Sequence, residues 1–341
     1  MRGVAVRGVG GGSVREGPLV YPLEPGRWHF RYGPIDAVVG IDAPQPLMRA
    51  AIVAARARFQ GLLEELVEEL ALLRSPVGEI GAVRGTVAAR MVAACRPFWP
   101  QFITPMAAVA GAVADELLGA ILAAGPVPRA FVNNGGDIAL ALAPGRSLQV
   151  GVFNEAGQHD RHGHPSVLDA RFAIEASSPV RGVATSGWGG RSLSLGIADS
   201  VTVLAANAAA ADAAATMVAN AVDVEDAAVR RVPANEVFDD SDLGERRVTV
   251  AVGPLPCAVV ETALERGARY AEALRARGLI RAALLFLQGR HRVVGDAAGV
   301  DNSRAARGSR SCGERGLGLP QASGDTAGTA YPVEASERRA A

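Results

Sequence analysis

Residues 182–220 read GVATSGWGGRSLSLGIADSVTVLAANAAAADAAATMVAN. Two short apolar runs, 182–185 and 200–204, have strand length and β-branched content, and a Gly- and Ser-rich loop separates them. Residues 208–222 then read as a helix, with Asn207 placed to cap its first turn. Asp212 and Thr216 stand four apart on that helix, which puts their Cβ atoms about 5–6 Å apart on one face. A carboxylate and a hydroxyl are hard oxygen ligands of the kind Mg²⁺ takes, and Asn220 continues the stripe. The same residues would equally form a polar stripe facing solvent. Ala213, Ala214 and Ala215 are small enough to let this helix pack closely on a sheet or a ligand. In the loop, Thr185, Ser186, Gly187 and Arg191 combine hydroxyls, free backbone and a guanidinium, a set suited to phosphate. Trp188 can stack on a flat ring there, or it packs in an ordinary surface loop.

Upstream, residues 132–137 read VNNGGD between two strand signals. Paired glycines allow backbone N–H groups to cradle an anion, which nominates Asn134, Gly135, Gly136 and Asp137 as ligand contacts. Asn-Gly is also the strongest local signal for a plain β-hairpin turn, so both readings stand. A β-like stretch, 28–42, precedes one long helical pattern over 47–73, which Ser75-Pro76 ends. Shorter helices are expected at 86–95 and 105–124, the second with Thr104 as cap and Pro105 in its first turn. Further strands are expected at 129–132, 138–142, 148–153, 170–176 and 248–252. A helix at 261–277 and a buried apolar strand at 279–287 close the pattern. Helices and strands interleave throughout, which predicts an α/β (α+β) fold of mixed sheets with packed helices. Three of the chain's five histidines, His159, His162 and His164, fall in one polar loop that is either a metal site or simply solvated.

With 341 residues and 49% hydrophobic content, the chain can bury a sizeable core, but only 5% is aromatic, so Ala, Val and Leu must fill it. Lys+Arg and Asp+Glu both number 35, which gives no electrostatic footprint for nucleic acid or an anionic membrane. Cys95, Cys257 and Cys312 form no Cys-x-x-Cys pair, and an odd, sparse count suits a reducing compartment. No apolar leader is evident, and Asp115 and Glu116 interrupt the most apolar stretch, so the chain is expected to be cytoplasmic and not membrane-bound. Residues 1–20 are expected to be a flexible N-terminus, 21–290 the folded domain and 291–341 a disordered tail poor in large apolar side chains. No Gly-x-Ser-x-Gly, His-Glu-x-x-His or Walker segment supports a hydrolase triad, a zinc protease or a P-loop.

Along the chain, an Asn-Gly-Gly-Asp turn (134–137), an Ala-Thr-Ser-Gly segment (184–187), a Ser-Val-Thr-Val strand (200–203) and an Ala-Asp-x-x-x-Thr helix (211–216) occur in succession. This order resembles the ApbE family of FAD:protein FMN transferases, and more closely a bacterial and archaeal branch of that superfamily. The likeness covers roughly residues 28–288 and is strongest from 104 to 222. It implies an ApbE-like fold that binds FAD with Mg²⁺ at the pyrophosphate, and an acceptor-protein hydroxyl that attacks the FMN phosphorus while AMP leaves. Carried over by position, Asp212 and Thr216 would be metal ligands. Asn134, Gly135, Gly136 and Asp137 would form the nucleotide turn, with Thr185, Ser186 and Gly187 near the ligand. Two departures bear on catalysis. Ala110 stands where the transferases carry a lysine, and residues 193–199 replace a histidine-containing loop, so no catalytic residue is assigned. A non-catalytic protein that binds a flavin or another phosphorylated small molecule is the alternative.

Overall fold

The computed structural model describes residues 17–152 and 170–295. The first three strands form a meander, β1 (Leu19–Glu24), β2 (Arg27–Tyr32) and β3 (Ile35–Asp42). Helices follow: α1 (Gln45–Phe59), α2 (Leu62–Glu68), α3 (Leu70–Leu73), α4 (Thr86–Cys95) and α5 (Val109–Ala123). The central part holds β4 (Arg129–Asn134), β5 (Asp137–Leu142), β6 (Ser147–Val152), β7 (Ala170–Glu175), β8 (Gly182–Ser186) and β9 (Ser200–Ala205). The last part holds α6 (Ala208–Ala221), β10 (Val229–Pro233), α7 (Ala234–Val237), β11 (Arg247–Val252), α8 (Cys257–Ala276), β12 (Ala282–Leu287) and β13 (Arg290–Gly295).

Nine strands make one sheet in the order β1-β2-β3-β4-β5-β8-β9-β12-β13, and every pairing within it is antiparallel. The pleat sends alternate side chains to opposite faces. One face, with Phe30, Ala37, Val132, Ala184 and Val203, packs on α1, α5, α6 and α8, and α4 packs in turn on α5 and α6. The other, with Phe131, Leu140, Val183 and Leu284, is covered by the β6–β7 hairpin through Val150, Phe172 and Ile174. β12 is apolar at every position because Ala283, Leu285 and Leu287 join the first core while Ala282, Leu284 and Phe286 join the second.

The α/β expectation holds, with local corrections. The single helix expected over 47–73 is three: Gly61 turns the chain with φ +81°, which ends α1 and starts α2, and Glu69, with φ −108° and ψ 8°, leaves the helical region between α2 and α3. Thr104 sits at the expected cap position ahead of a 3₁₀ turn, but its hydroxyl bonds Asp242 instead of capping. Two edge strands shift the expected domain limits: β1 begins at Leu19 and β13 ends at Gly295, where its Val294 is buried. The parts of the flexible N-terminus and tail expectations at 1–16 and 296–341 lie outside the described residues.

Among the described residues one helical stretch, Pro105–Ala123, is long and apolar enough to cross a membrane by length and composition. Here it is an internal helix of the fold. Ala112, Leu117 and Ile121 are buried in the first core, and both of its carboxylates are engaged within the protein.

Candidate functional site

The site is built where α5 crosses α6. A Cβ added to Gly111 would lie 2.3 Å from the Ala208 carbonyl oxygen, so the two backbones touch only because position 111 is glycine. Across this crossing the helices exchange carboxylates. Asp115 of α5 accepts the N–H groups of Ala208 (3.0 Å) and Ala209 (2.9 Å) at the start of α6. Asp212 of α6 accepts the N–H of Gly111 (3.0 Å) and that of Ala110 in the first turn of α5. Each carboxyl satisfies orphan donors at a helix N-terminus, where negative charge is favoured, but burial outweighs that pull and raises the proton affinity of both. Asn207 caps α6 as expected, accepting from the Ala210 N–H at 2.8 Å.

The Asn-Gly-Gly-Asp segment is the β4–β5 hairpin, with Asn134 opposite Asp137 and positive φ at Gly135 (+66°) and Gly136 (+113°). Such a two-residue turn is what the Asn-Gly signal encodes. The anion-nest expectation fails, because both glycine N–H groups are already spent. Gly135 donates to the Asp36 carbonyl (3.2 Å) and Gly136 to Asn133 Oδ1 (2.9 Å). What the turn offers instead is position. Asn134 Nδ2 donates to the Ala110 carbonyl (3.1 Å), which ties the hairpin to α5. A Cβ on Gly135 would sit 2.1 Å from Arg191 Nη2, so the bare glycine seats the exposed Arg191 guanidinium against the turn.

Asp137 is buried and accepts the Thr185 N–H at 3.2 Å, while Thr185 and Thr202 share a hydroxyl–hydroxyl bond of 2.9 Å. Burial pushes the Asp137 carboxyl up to about 7, against the opposing pull of the Thr185 N–H and Arg191. Asp212 is also held well above the ordinary carboxylate range, first by burial and then by the charge of Asp137, with the α5 N–H groups opposing. Repulsion between two carboxylates is mutual, so the pair cannot be doubly ionised without cost. A hard divalent cation that takes one or two carboxylates and keeps several waters suits this donor set. Among the described residues no group of three or more His, Cys, Asp or Glu could hold a metal ion.

The structure therefore brings Asn134, Gly135, Asp137, Thr185, Arg191 and Asp212 into one neighbourhood around the first turn of α5. Thr216 lies one turn further along α6 and is partly buried. Ser186 ends β8, and Gly187 is packed against the backbone of Asp199, where a Cβ would meet its carbonyl oxygen at 2.3 Å. Trp188 gives its indole N–H to Asp199 Oδ1 at 3.3 Å, which fixes the ring within the protein. Asn220 drops out of the ligand stripe: its Oδ1 accepts Ser194 Oγ (3.3 Å) and the Leu195 N–H (3.0 Å) and holds that segment down. Asp115, Thr202 and the backbone of Ala110 and Gly111 were not nominated from sequence as site residues. The His159, His162 and His164 loop lies outside the described residues. A cleft of about 470 Å³ opens elsewhere, beside Arg58, Glu65, Glu69, Thr86 and Glu116. Several of its charges bond one another.

A broad antiparallel sheet with helices on one face, and a carboxylate pair made of buried Asp137 at the hairpin and partly buried Asp212 on α6, define the class: an α/β protein with a candidate cation and anion site. The chain belongs to the family described as AbpE bacteria, whose model matches residues 20–293, and the ApbE-like resemblance read from the sequence is borne out. A UPF0280 protein of Methanopyrus kandleri is 38% identical over 168 residues, 48% of this chain and 61% of that one. One from Methanococcoides burtonii is 37% identical over 123 residues, 36% of this chain and 47% of the other. The chain thus spans about half the length of the curated relatives it matches. Among solved structures, the ApbE protein of Thermotoga maritima is similar with TM-score 0.44 and 14% identity, over 81% of this chain and 97% of that one. The apo flavinyl transferase ApbE of Pseudomonas stutzeri is similar with TM-score 0.36 and 14% identity, over 82% and 94% respectively.

Proposed function

We propose that this chain is a metal-dependent flavin-nucleotide protein whose site lies between the β4–β5 hairpin and the α5–α6 crossing, with Mg²⁺ as the cation and FAD as substrate or ligand. The single observation that carries the reading is the convergence of two carboxylates on the first turn of α5: Asp212 accepts the Gly111 N–H there, and Asp137 sits opposite Asn134, whose side chain bonds the Ala110 carbonyl. Asp212, with Thr216 on the same helix face, would hold the cation, which on binding would neutralise phosphate charge. Asp137 would stay ionised once the cation offsets its repulsion with Asp212. Arg191, seated on Gly135, is positioned to meet a phosphate in bidentate fashion. Asn134 keeps the hairpin on α5, and Thr185 orients Asp137 through its N–H. Gly136, Ser186 and Gly187 act by shaping the two turns that carry Asp137 and Arg191.

FMN transfer to a separate acceptor protein is expected to be weak. Ala110 offers no side-chain charge to a phosphate, and its backbone is spent on Asp212 and Asn134. The segment replacing the histidine loop is tied down, Ile197 to Val222 and Asp199 to Phe286 and Gln288, and carries no proton acceptor equivalent to histidine. General-base assistance contributes about 10²–10⁴-fold, enough to separate binding from turnover. These two features favour the binding-protein reading over efficient transfer. The experiment is titration of FAD, FMN and AMP with and without Mg²⁺ by calorimetry, followed by incubation with FAD, Mg²⁺ and an acceptor peptide. Mg²⁺-dependent nucleotide binding with little flavin on the peptide is the expected result. No affinity for any of the three nucleotides would sink the flavin reading.

A further inference from the structure

On the opposite face of the sheet from Asp212, the strands β1, β2 and β3 bring three side chains into a line. Tyr21 Oη lies 2.5 Å from His29 Nδ1, and His29 Nε2 lies 2.7 Å from Asp36 Oδ1. The register explains the line. Tyr21 pairs with His29 across β1 and β2, and Arg31 pairs with Asp36 across β2 and β3, which leaves Asp36 diagonal to His29. The face is fixed by alternation: Phe30 and Tyr32 point into the helix-side core, while Val38, directly opposite His29, packs with the hairpin-side core. Asn134 lies on the helix side with Val132, so the carboxylate pair and this line are separated by the sheet itself.

The arrangement orders the proton inventory. In the neutral ring, Asp36 accepting from Nε2–H leaves Nδ1 as the unprotonated nitrogen, which accepts from the phenol. A hydroxyl, an imidazole and an orienting carboxylate within hydrogen-bond reach are the components of an activated nucleophile. Access is retained, since Tyr21 is 39% exposed. Arg27 and Arg31 flank His29 on the same strand face, and their positive charge would favour an anionic electrophile. Arg27 is held by Glu24 (2.6 Å), while Arg31 has a loose 3.7 Å contact with Asp36 and a side chain 58% exposed, so its guanidinium can turn to a ligand.

We propose that Tyr21 is a covalent acceptor site for an anionic phosphoric anhydride, with His29 as its base and Asp36 as the group that orients His29. The Tyr21 oxygen forms a bond to phosphorus while the anhydride P–O bond breaks. The leaving phosphate keeps the electron pair, and the phenolic proton passes to His29 Nδ1. Asp36 then faces an imidazolium, which its charge stabilises. The product is a tyrosyl phosphate ester and one released nucleotide or phosphate, with no change of oxidation state. An internal acceptor is consumed once per chain, so this is a modification site and not a turnover site. It stands apart from the flavin-nucleotide reading, because none of its three side chains belongs to that site; Asp36 meets it only through its backbone carbonyl, which accepts the Gly135 N–H.

The test has two arms on the full chain. In the first, an aryl sulfonyl fluoride is applied at neutral pH and tyrosine labelling is read by peptide mass spectrometry. Tyr21 should lose about 10²-fold in labelling rate in His29→Gln, the low end of general-base assistance, and a smaller factor in Asp36→Asn. Labelling of Tyr270 serves as the internal control for intact folding. Equal Tyr21 rates in the wild type and His29→Gln would overturn the activated nucleophile. In the second arm, ATP or FAD with Mg²⁺ should add a phosphoryl or nucleotidyl mass to the Tyr21 peptide and nothing in Tyr21→Phe. A reactive Tyr21 that gains no such mass from either compound would overturn phosphorus as its electrophile. Failure of the flavin reading shows separately, as absent nucleotide binding in an Asp212-dependent titration.

Discussion

Replacing Asp137 by Asn tests whether the paired carboxylates are held together at the expense of stability. The folded carboxyl is pushed up to about 7 from an ordinary value of 3.8. A raised carboxyl binds protons more tightly folded than unfolded. Its contribution is therefore most favourable below about pH 3.8 and is lost as pH rises toward 7. About three units at 1.36 kcal/mol each gives about 4 kcal/mol of lost stability at neutral pH, an upper figure because Asp212 shares the titration. The Asp137→Asn substitution removes the charge and keeps a side-chain oxygen that can accept the Thr185 N–H, a bond of 3.2 Å in the wild type. The variant should be more stable than the wild type at pH 7 without metal, with Tm higher by roughly 4–10 °C for a domain of this size. The gain should shrink as pH falls toward 4. Added Mg²⁺ should raise the wild-type Tm by more than that of the variant, since Asp212 and Thr216 remain to hold the cation but the second negative charge beside it is gone. Differential scanning calorimetry across pH 4–8, with EDTA or with Mg²⁺, reads all of this. A variant less stable than the wild type at pH 7 in EDTA would show that Asp137 is a net stabilising partner and that the repulsion argument is wrong.

Gly111→Ala should destabilise by about 1–3 kcal/mol, the range for overpacking. Its Cβ would meet the Ala208 carbonyl at 2.3 Å, and the α5–α6 exchange of caps would loosen; urea unfolding measures it. Glu116→Gln removes the negative charge, and one of the two acceptor oxygens, that Arg58 (2.8 Å), Thr86 (2.7 Å) and Arg90 (2.9 Å) share. Desolvation opposes these bonds, but they win and hold the Glu116 carboxyl below its usual 4.5. That stabilisation is present above about pH 4.5 and lost as pH falls through the folded value, so the wild-type advantage should fade under acid titration. Truncation after Arg292 should lower Tm because it cuts β13 and removes buried Val294, whereas truncation after Gly295 leaves the described sheet whole.

The sequence shows the strands and helices wherever one physical signal acts alone. β12 announces itself by an unbroken apolar run, and α6 by Asn207 and a long alanine stretch. β1 and β13 escape because they are edge strands whose exposed side chains, such as Leu19, Tyr21 and Val293, give no clean alternation. The break at Gly61 escapes because the apolar spacing of residues 47–73 continues through it, and only the backbone reveals the left-handed turn. At the site the difficulty is of another kind. Asp212 and Thr216 are legible as an i,i+4 pair, and Asn134 to Asp137 as a turn, because both signals are local. The exchange of caps joins residues far apart in the chain, Gly111 to Asp212 and Asp115 to Ala209, and depends on an interhelical approach set by one glycine. No short window of sequence contains both halves of it. The same holds for the spent N–H of Gly135, whose partner is the Asp36 carbonyl at the start of β3. Reading the turn as a free anion nest followed from its composition. The bond to Asp36 moves any phosphate contact from the backbone to Arg191, and that shift makes an Arg191→Ala variant the direct measure of whether this hairpin meets an anion at all.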